Sequence, residues 1–124
     1  MVNRRLKFVA PELADDPVAH ERFLREARLA AAIEHPNIVP IHEAGEADGT
    51  LFLAMRAIPG PDLATVLRRE APLDRARTLA IATALADALD AAHRRGLIHR
   101  DVKPGNVLLE PGEDGGPERP WLTD

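Results

Sequence analysis

Cysteine is absent from the 124 residues, so disulfides and thiolate metal sites are excluded. Aromatic side chains are nearly absent too: Phe8, Phe23, Phe52 and Trp121 are the whole complement. The core therefore falls to Leu, Ile, Val and Ala, which bury less area per residue. No apolar run approaches the length of a membrane span, and Met1 to Ala10 lacks the extended apolar centre of a signal peptide. The expectation is a cytoplasmic chain with no membrane segment of its own. Basic excess is missing as well. Sixteen Lys and Arg against twenty Asp and Glu give a formal charge of −4, with both signs interspersed. Nucleic acid is not an expected partner. There are no internal repeats, and the length suits one small domain burying about two-thirds of its unfolded surface.

What is present reads as alternating strands and helices. Leu6 to Val9 is a short apolar run before Pro11 that suits one strand. Asp15-Asp16-Pro17 opens a helix, on which Phe23, Ala27, Ala30 and Ile33 recur at helical spacing until Pro36 stops it. Ile38 to Ala44 and Thr50 to Ile58 flank Asp48-Gly49, a hairpin turn signal. After Pro59-Gly60-Pro61, Asp62 to Glu70 reads as a capped short helix. Asp74 to Arg95 is the longest periodic segment, with Leu79, Ala82, Leu85, Ala86, Leu89 and Ala92 on one expected face and Gly96 closing it. Val107 to Glu110 and Trp121 to Thr123 read as short strands joined by a solvated loop, Pro111 to Pro120.

The chemistry concentrates in His99-Arg100-Asp101-Val102-Lys103-Pro104-Gly105-Asn106. A carboxylate here can take a hydroxyl proton while a carboxamide oxygen five residues on binds a magnesium ion, which is the division of labour of phosphoryl transfer. A polar turn between helix and strand would tolerate many other orders of side chain. Glu26 shares the apolar stripe of its helix, and a carboxylate placed there needs a partner. Lys7 on the first strand is one candidate and Arg22, four residues back, is the other. His35 and His42 are separated by seven residues and a proline with no third ligand, a poor metal pattern. His20 and His93 lie among charged neighbours and read as solvated.

This loop resembles the catalytic loop of the protein kinases, and Lys103 resembles the serine/threonine branch. His35-Pro36-Asn37-Ile38-Val39 and Leu122-Thr123-Asp124 fall into the same register, similar to the eukaryotic-like kinases of bacteria. The resemblance implies an α+β, protein-kinase-like fold in truncated form. A partial small lobe of three strands and one helix would occupy 1–58, and the start of the helical large lobe 59–124. It implies ATP and Mg2+ as cofactors and a protein with a Ser/Thr acceptor as substrate. By the same resemblance Asp101, Lys103 and Asn106 are catalytic, and Asn106 and Asp124 hold the metal. Lys7 and Glu26 form the phosphate clamp, Met55 and Ile58 belong to the adenine-contacting hinge, and Leu108 floors the adenine pocket. His99, Ala30 and Ile41 would join a hydrophobic stack, and Arg100 would dock a phosphorylated activation loop.

The pattern also departs from the family. Arg5 stands where relatives have a small alanine, two residues before the lysine, and no glycine-rich loop or Asp-Phe-Gly phenylalanine occurs in these residues. The expectation is that the chain alone is inactive. A pseudokinase-like interaction module without catalysis is the second reading. A small-molecule phosphotransferase is the third, although those enzymes usually carry His where Lys103 stands.

Overall fold

The computed structural model describes residues 4–9, 15–99 and 101–123. It divides the chain into two compact units, one running through Glu34 together with Pro40–Ala57, the other comprising His35–Val39 and Ile58 onward. The sequence reading keeps 1–58 together; here His35–Val39 and Ile58 group with the second unit.

The first unit is a three-stranded antiparallel sheet with one helix. Strands β1 (Arg4–Phe8), β2 (Ile41–Ala47) and β3 (Thr50–Arg56) lie in the order β1-β3-β2. Asp48 and Gly49 both take positive φ, 50° and 78°, the backbone that a two-residue turn matched to strand twist requires. Helix α1 (Pro17–Ala31) starts where the sequence says, with the Asp16 carboxylate accepting from Val18 N–H at 3.0 Å and Pro17 in the first turn. Its end differs. Ala32 N–H donates to the Arg28 and Leu29 carbonyls and Ile33 N–H to Ala30, so a tightened last turn ends the helix before Pro36 is reached. α1 lies against β2. The unit's buried residues are Ala27, Ile33, Leu51, Ala54 and Met55. His20, read as solvated, instead faces Glu46 of β2 at 3.4 Å.

The second unit holds α2 (Leu63–Glu70), α3 (Arg75–Arg94) and the antiparallel hairpin of β4 (Val107–Glu110) and β5 (Arg119–Leu122). Asp62 and Asp74 cap the two helices by accepting from Thr65 N–H (2.8 Å) and Arg77 N–H (2.7 Å). The Asp62 carboxyl is held below its usual range, chiefly by that Thr65 bond. The core packs Val66, Ile81, Val107 and Leu109, with Leu63, Leu73 and Leu85 against them. This corrects the expected face of α3. Ile81 and Ala88 are buried while Leu79 is 56% exposed and Ala82 and Ala86 are exposed. Alanine and leucine all round this helix leave its periodicity unable to choose a side, and the aliphatic cluster chooses it instead.

The β4–β5 hairpin is flanked on both edges. Ile38 bridges Leu122 rather than opening β2, and the Leu122 and Val39 amides donate to Asn37 and Leu122 carbonyls at 2.7 and 3.0 Å. On the other side Leu109 N–H reaches Pro61 O at 2.9 Å and Asp62 bridges Leu108. Gly60, at φ 126°, sits where a Cβ would run into the Leu109 carbonyl, so only glycine fits. The segment read as a loop through Pro120 ends earlier. It contains a 3-10 turn, Glu113–Gly115, and Arg119 and Pro120 already belong to β5.

Candidate active site

The loop from His99 to Asn106 is shaped by short-range bonds. Pro104–Asn106 forms a 3-10 turn, with Asn106 N–H donating to Lys103 O at 2.9 Å. That turn buries Asn106 to 8% exposure and aims its side chain back along the loop. Its Nδ2 donates to the Asp101 carbonyl at 2.9 Å and to Asp101 Oδ2 at 3.3 Å. Lys103 Nζ reaches the same Oδ2 at 3.1 Å. Asp101 itself is exposed, so its charge is well solvated. Its carboxyl is held below the usual carboxylate range, first by the Lys103 hydrogen bond, with the charge of Lys103 and the Asn106 amide adding to it. The group is thus an anion at neutral pH. Among the described residues both contacts fall on Oδ2 rather than Oδ1.

A second set of bonds ties the loop to the end of β5. Asp101 N–H donates to His99 Nδ1 at 3.1 Å, so the ring's other nitrogen carries the proton and Nε2 donates to Thr123 O at 2.9 Å. Thr123 N–H in turn donates to Asn106 O at 3.0 Å. Thr123 therefore holds both ends of the loop. Sequence reading passed over it, because its role lies in backbone groups that leave no residue signature. It also missed Arg77, which grips Glu118 through Nε (2.6 Å) and Nη2 (2.9 Å) and so anchors the residue that leads into β5. That contact raises the Arg77 pKa further above its already high value.

The remaining candidates divide between the units. Lys7 is half-buried on β1 opposite Leu53, and Glu26 is half-buried on α1, beside buried Ala27. Met55 is buried at the end of β3, opposite Ile41 and Arg5. In the second unit, Ile58 is half-buried and Leu108 half-buried on β4, paired with Trp121. His35 uses Nδ1 to accept from Asn37 N–H at 3.0 Å, a turn-forming role. Asp124 and Arg100 lie outside the described residues, as does the segment 10–14. With Nδ2 of Asn106 committed to Asp101, the atom it offers a cation is Oδ1, a hard oxygen of the type magnesium selects. Among the described residues no group of three His, Cys, Asp or Glu side chains gathers as a metal site, and none of the helices is long and apolar enough to cross a membrane.

Comparison with known proteins matches residues 6–118 to the protein kinase domain. The chain is 51% identical over 104 residues to serine/threonine-protein kinase PknH of Mycobacterium tuberculosis and 50% identical over 104 residues to PknE of the same species. Those matches cover 84% of this chain but 17% and 18% of the relatives, so the chain spans under a fifth of their length. Among solved structures it resembles the Mycobacterium tuberculosis PknI kinase domain at TM-score 0.86 and 42% identity, over 98% of this chain and 48% of that one.

Proposed function

This chain belongs to the protein kinase family, in its serine/threonine branch, and from that premise we propose that it carries the proton-accepting and metal-binding part of an ATP-dependent Ser/Thr phosphotransferase. The observation that carries the reading is the convergence of Lys103 Nζ and Asn106 Nδ2 on one oxygen of an exposed, ionised Asp101. Asp101 accepts the proton of the substrate hydroxyl through Oδ1. Lys103, bonded to that carboxylate, places a positive charge beside the phosphoryl group being transferred. Asn106 orients Asp101 and offers Oδ1 to Mg2+; Asp124 is its partner ligand in this reading. Magnesium, when bound, supplies charge neutralisation on the phosphates. Lys7 paired with Glu26 contacts the nucleotide phosphates, while Met55, Ile58 and Leu108 line the adenine position. The acceptor is a protein Ser or Thr.

Base and metal ligand alone do not complete the reaction. These 124 residues contain no glycine-rich segment whose amides cover the phosphates, and such preorganised donors supply a large part of the rate. As an isolated polypeptide they are expected to show no turnover with labelled ATP and a generic protein substrate, whatever precedes or follows them in a longer chain. The test of function is therefore a chimera, with residues 6–124 replacing the matching part of the PknI kinase domain. The expected result is phosphate transfer to Ser or Thr that falls by about a hundredfold to ten-thousandfold in Asp101→Asn. A chimera that folds and binds ATP but transfers nothing, or one that is indifferent to Asp101→Asn, would favour the interaction-module reading.

A further inference from the structure

Helix α3 is bonded to the two ends of β5 from its own two ends. At the start of the helix, Arg77 lays Nε and Nη2 on the two carboxylate oxygens of Glu118 at 2.6 and 2.9 Å, while Nη1 reaches Glu70 at 3.4 Å. Arg77 and Glu118 are largely covered, with 28% and 24% of their side chains exposed. At the other end of the helix, the Gly96 and Leu97 amides donate back to the His93 and Ala92 carbonyls at 3.0 Å each, so the chain leaves α3 in a fixed direction. His99 then donates Nε2 to Thr123 O at 2.9 Å, and the Thr123 amide donates to Asn106 O at 3.0 Å. Glu118 stands just before β5 and Thr123 just after it. The strand is strapped to one helix at both ends.

Between the straps the contact is apolar. α3 lies against β5, Ile81 clusters with Val107 and Leu109 of β4, and Trp121 and Leu122 are buried. Apolar contact is non-directional, so it holds the hairpin on the helix without fixing how far along the helix it sits. A bidentate pair between guanidinium and carboxylate is directional. We propose that Arg77 is a positioning residue: its fork on Glu118 sets where β5 lies along α3, and so where Thr123 presents its carbonyl and amide to His99 and Asn106. The inference rests on the reading of Asp101 as proton acceptor, because His99 and Asn106 in turn hold Asp101 through its amide, its carbonyl and Oδ2. Arg77 acts through Thr123 and not on a reacting atom. A lysine in its place would keep the charge but could not make the two parallel bonds.

Amide exchange of the whole chain, in wild type, Arg77→Lys and Glu118→Gln, reads the placement directly. The Leu122 and Thr123 amides, bonded to Asn37 O and Asn106 O, are expected to exchange about tenfold faster in both variants. The Leu109 amide, bonded to Pro61 O on the other edge of the hairpin, is expected to change far less. Equal acceleration of all three would mark Arg77 as a stability contact alone and overturn the proposal, and so would no change in any. The second arm is kcat and KM in the PknI chimera. Each variant is expected to lower kcat by about tenfold or more, with KM for ATP within about twofold, since a small misplacement caused far from the chemistry costs rate. An unchanged kcat in both variants would overturn the positioning role. A chimera that folds yet shows no transfer dependent on Asp101 fails the proton-acceptor reading instead. In that case the exchange contrast between Thr123 and Leu109 still decides whether Arg77 places β5.

Discussion

The β2–β3 hairpin turns on two residues, Asp48 and Gly49, whose positive φ angles suit its twist. The β4–β5 hairpin spans the segment 111–118 and is held from outside itself. Arg77, from the first turn of α3, grips Glu118 just before β5. Asn37 Nδ2 donates to Pro120 O at 2.9 Å and Arg119 Nε to Pro36 O at 2.6 Å, partners 83 residues apart in sequence. A local turn can be written in two residues. A hairpin fixed by distant partners is written across the chain, and the His99–Asn106 loop depends on the second kind, because Thr123, just past β5, holds both His99 and Asn106.

The contrast breaks most visibly at Trp121. It is 2% exposed, its indole N–H donates to Glu110 at 3.1 Å, and Arg119 lies 4.3 Å over its ring. Trp121→Ala is expected to cost about 3–5 kcal/mol in urea unfolding followed by circular dichroism. A cost below about 1 kcal/mol would mean that the hairpin is not seated on its core. Next in size is Arg77→Ala, which removes a bidentate contact and strands a half-buried Glu118. A loss of about 1.5–2 kcal/mol is expected, read from the urea midpoint of Trp121 fluorescence. A double-mutant cycle with Glu118→Ala should recover most of it as coupling; additive effects would remove the clamp from the account. Smallest is Gly49→Ala, where a side chain must take a left-handed backbone. About 1 kcal/mol is expected, seen as faster amide exchange across β2 and β3. Unchanged exchange there would show that the turn does not set the hairpin.

The same contrast marks what could be read in the sequence. Asp16 and Asp62 cap their helices as the residue types announce, because a cap is a bond between near neighbours, and Asp74 caps α3 in the same way. The Asp48-Gly49 turn is legible for the same reason. Ile38 is not: an apolar residue before Val39 and Pro40 fits a strand start, and only the presence of Leu122 draws it to β5. α3 shows the limit of periodicity, since Leu79 and Ile81 are equally apolar and the partners Val66 and Leu109 decide which is buried. In the site, Asp101, Lys103 and Asn106 were legible as a spacing. Their support by Thr123 was not, because it runs through a backbone N–H and a carbonyl that any residue would supply.

What tests the central claim most directly is the carbon-detected pH titration of the Asp101 carboxyl, in the native chain and in Lys103→Ala. An exposed carboxyl held by Lys103 and Asn106 stays ionised until the pH falls below the usual Asp value of about 3.9. Whatever stability the pairing contributes is complete above that value and is lost as the pH falls through the lower folded pKa. The account predicts a native midpoint below the ordinary range that moves up when Lys103 is removed. A midpoint at or above the ordinary value, unmoved by Lys103→Ala, would contradict it and show that the Asp101, Lys103 and Asn106 contacts are not formed in this chain.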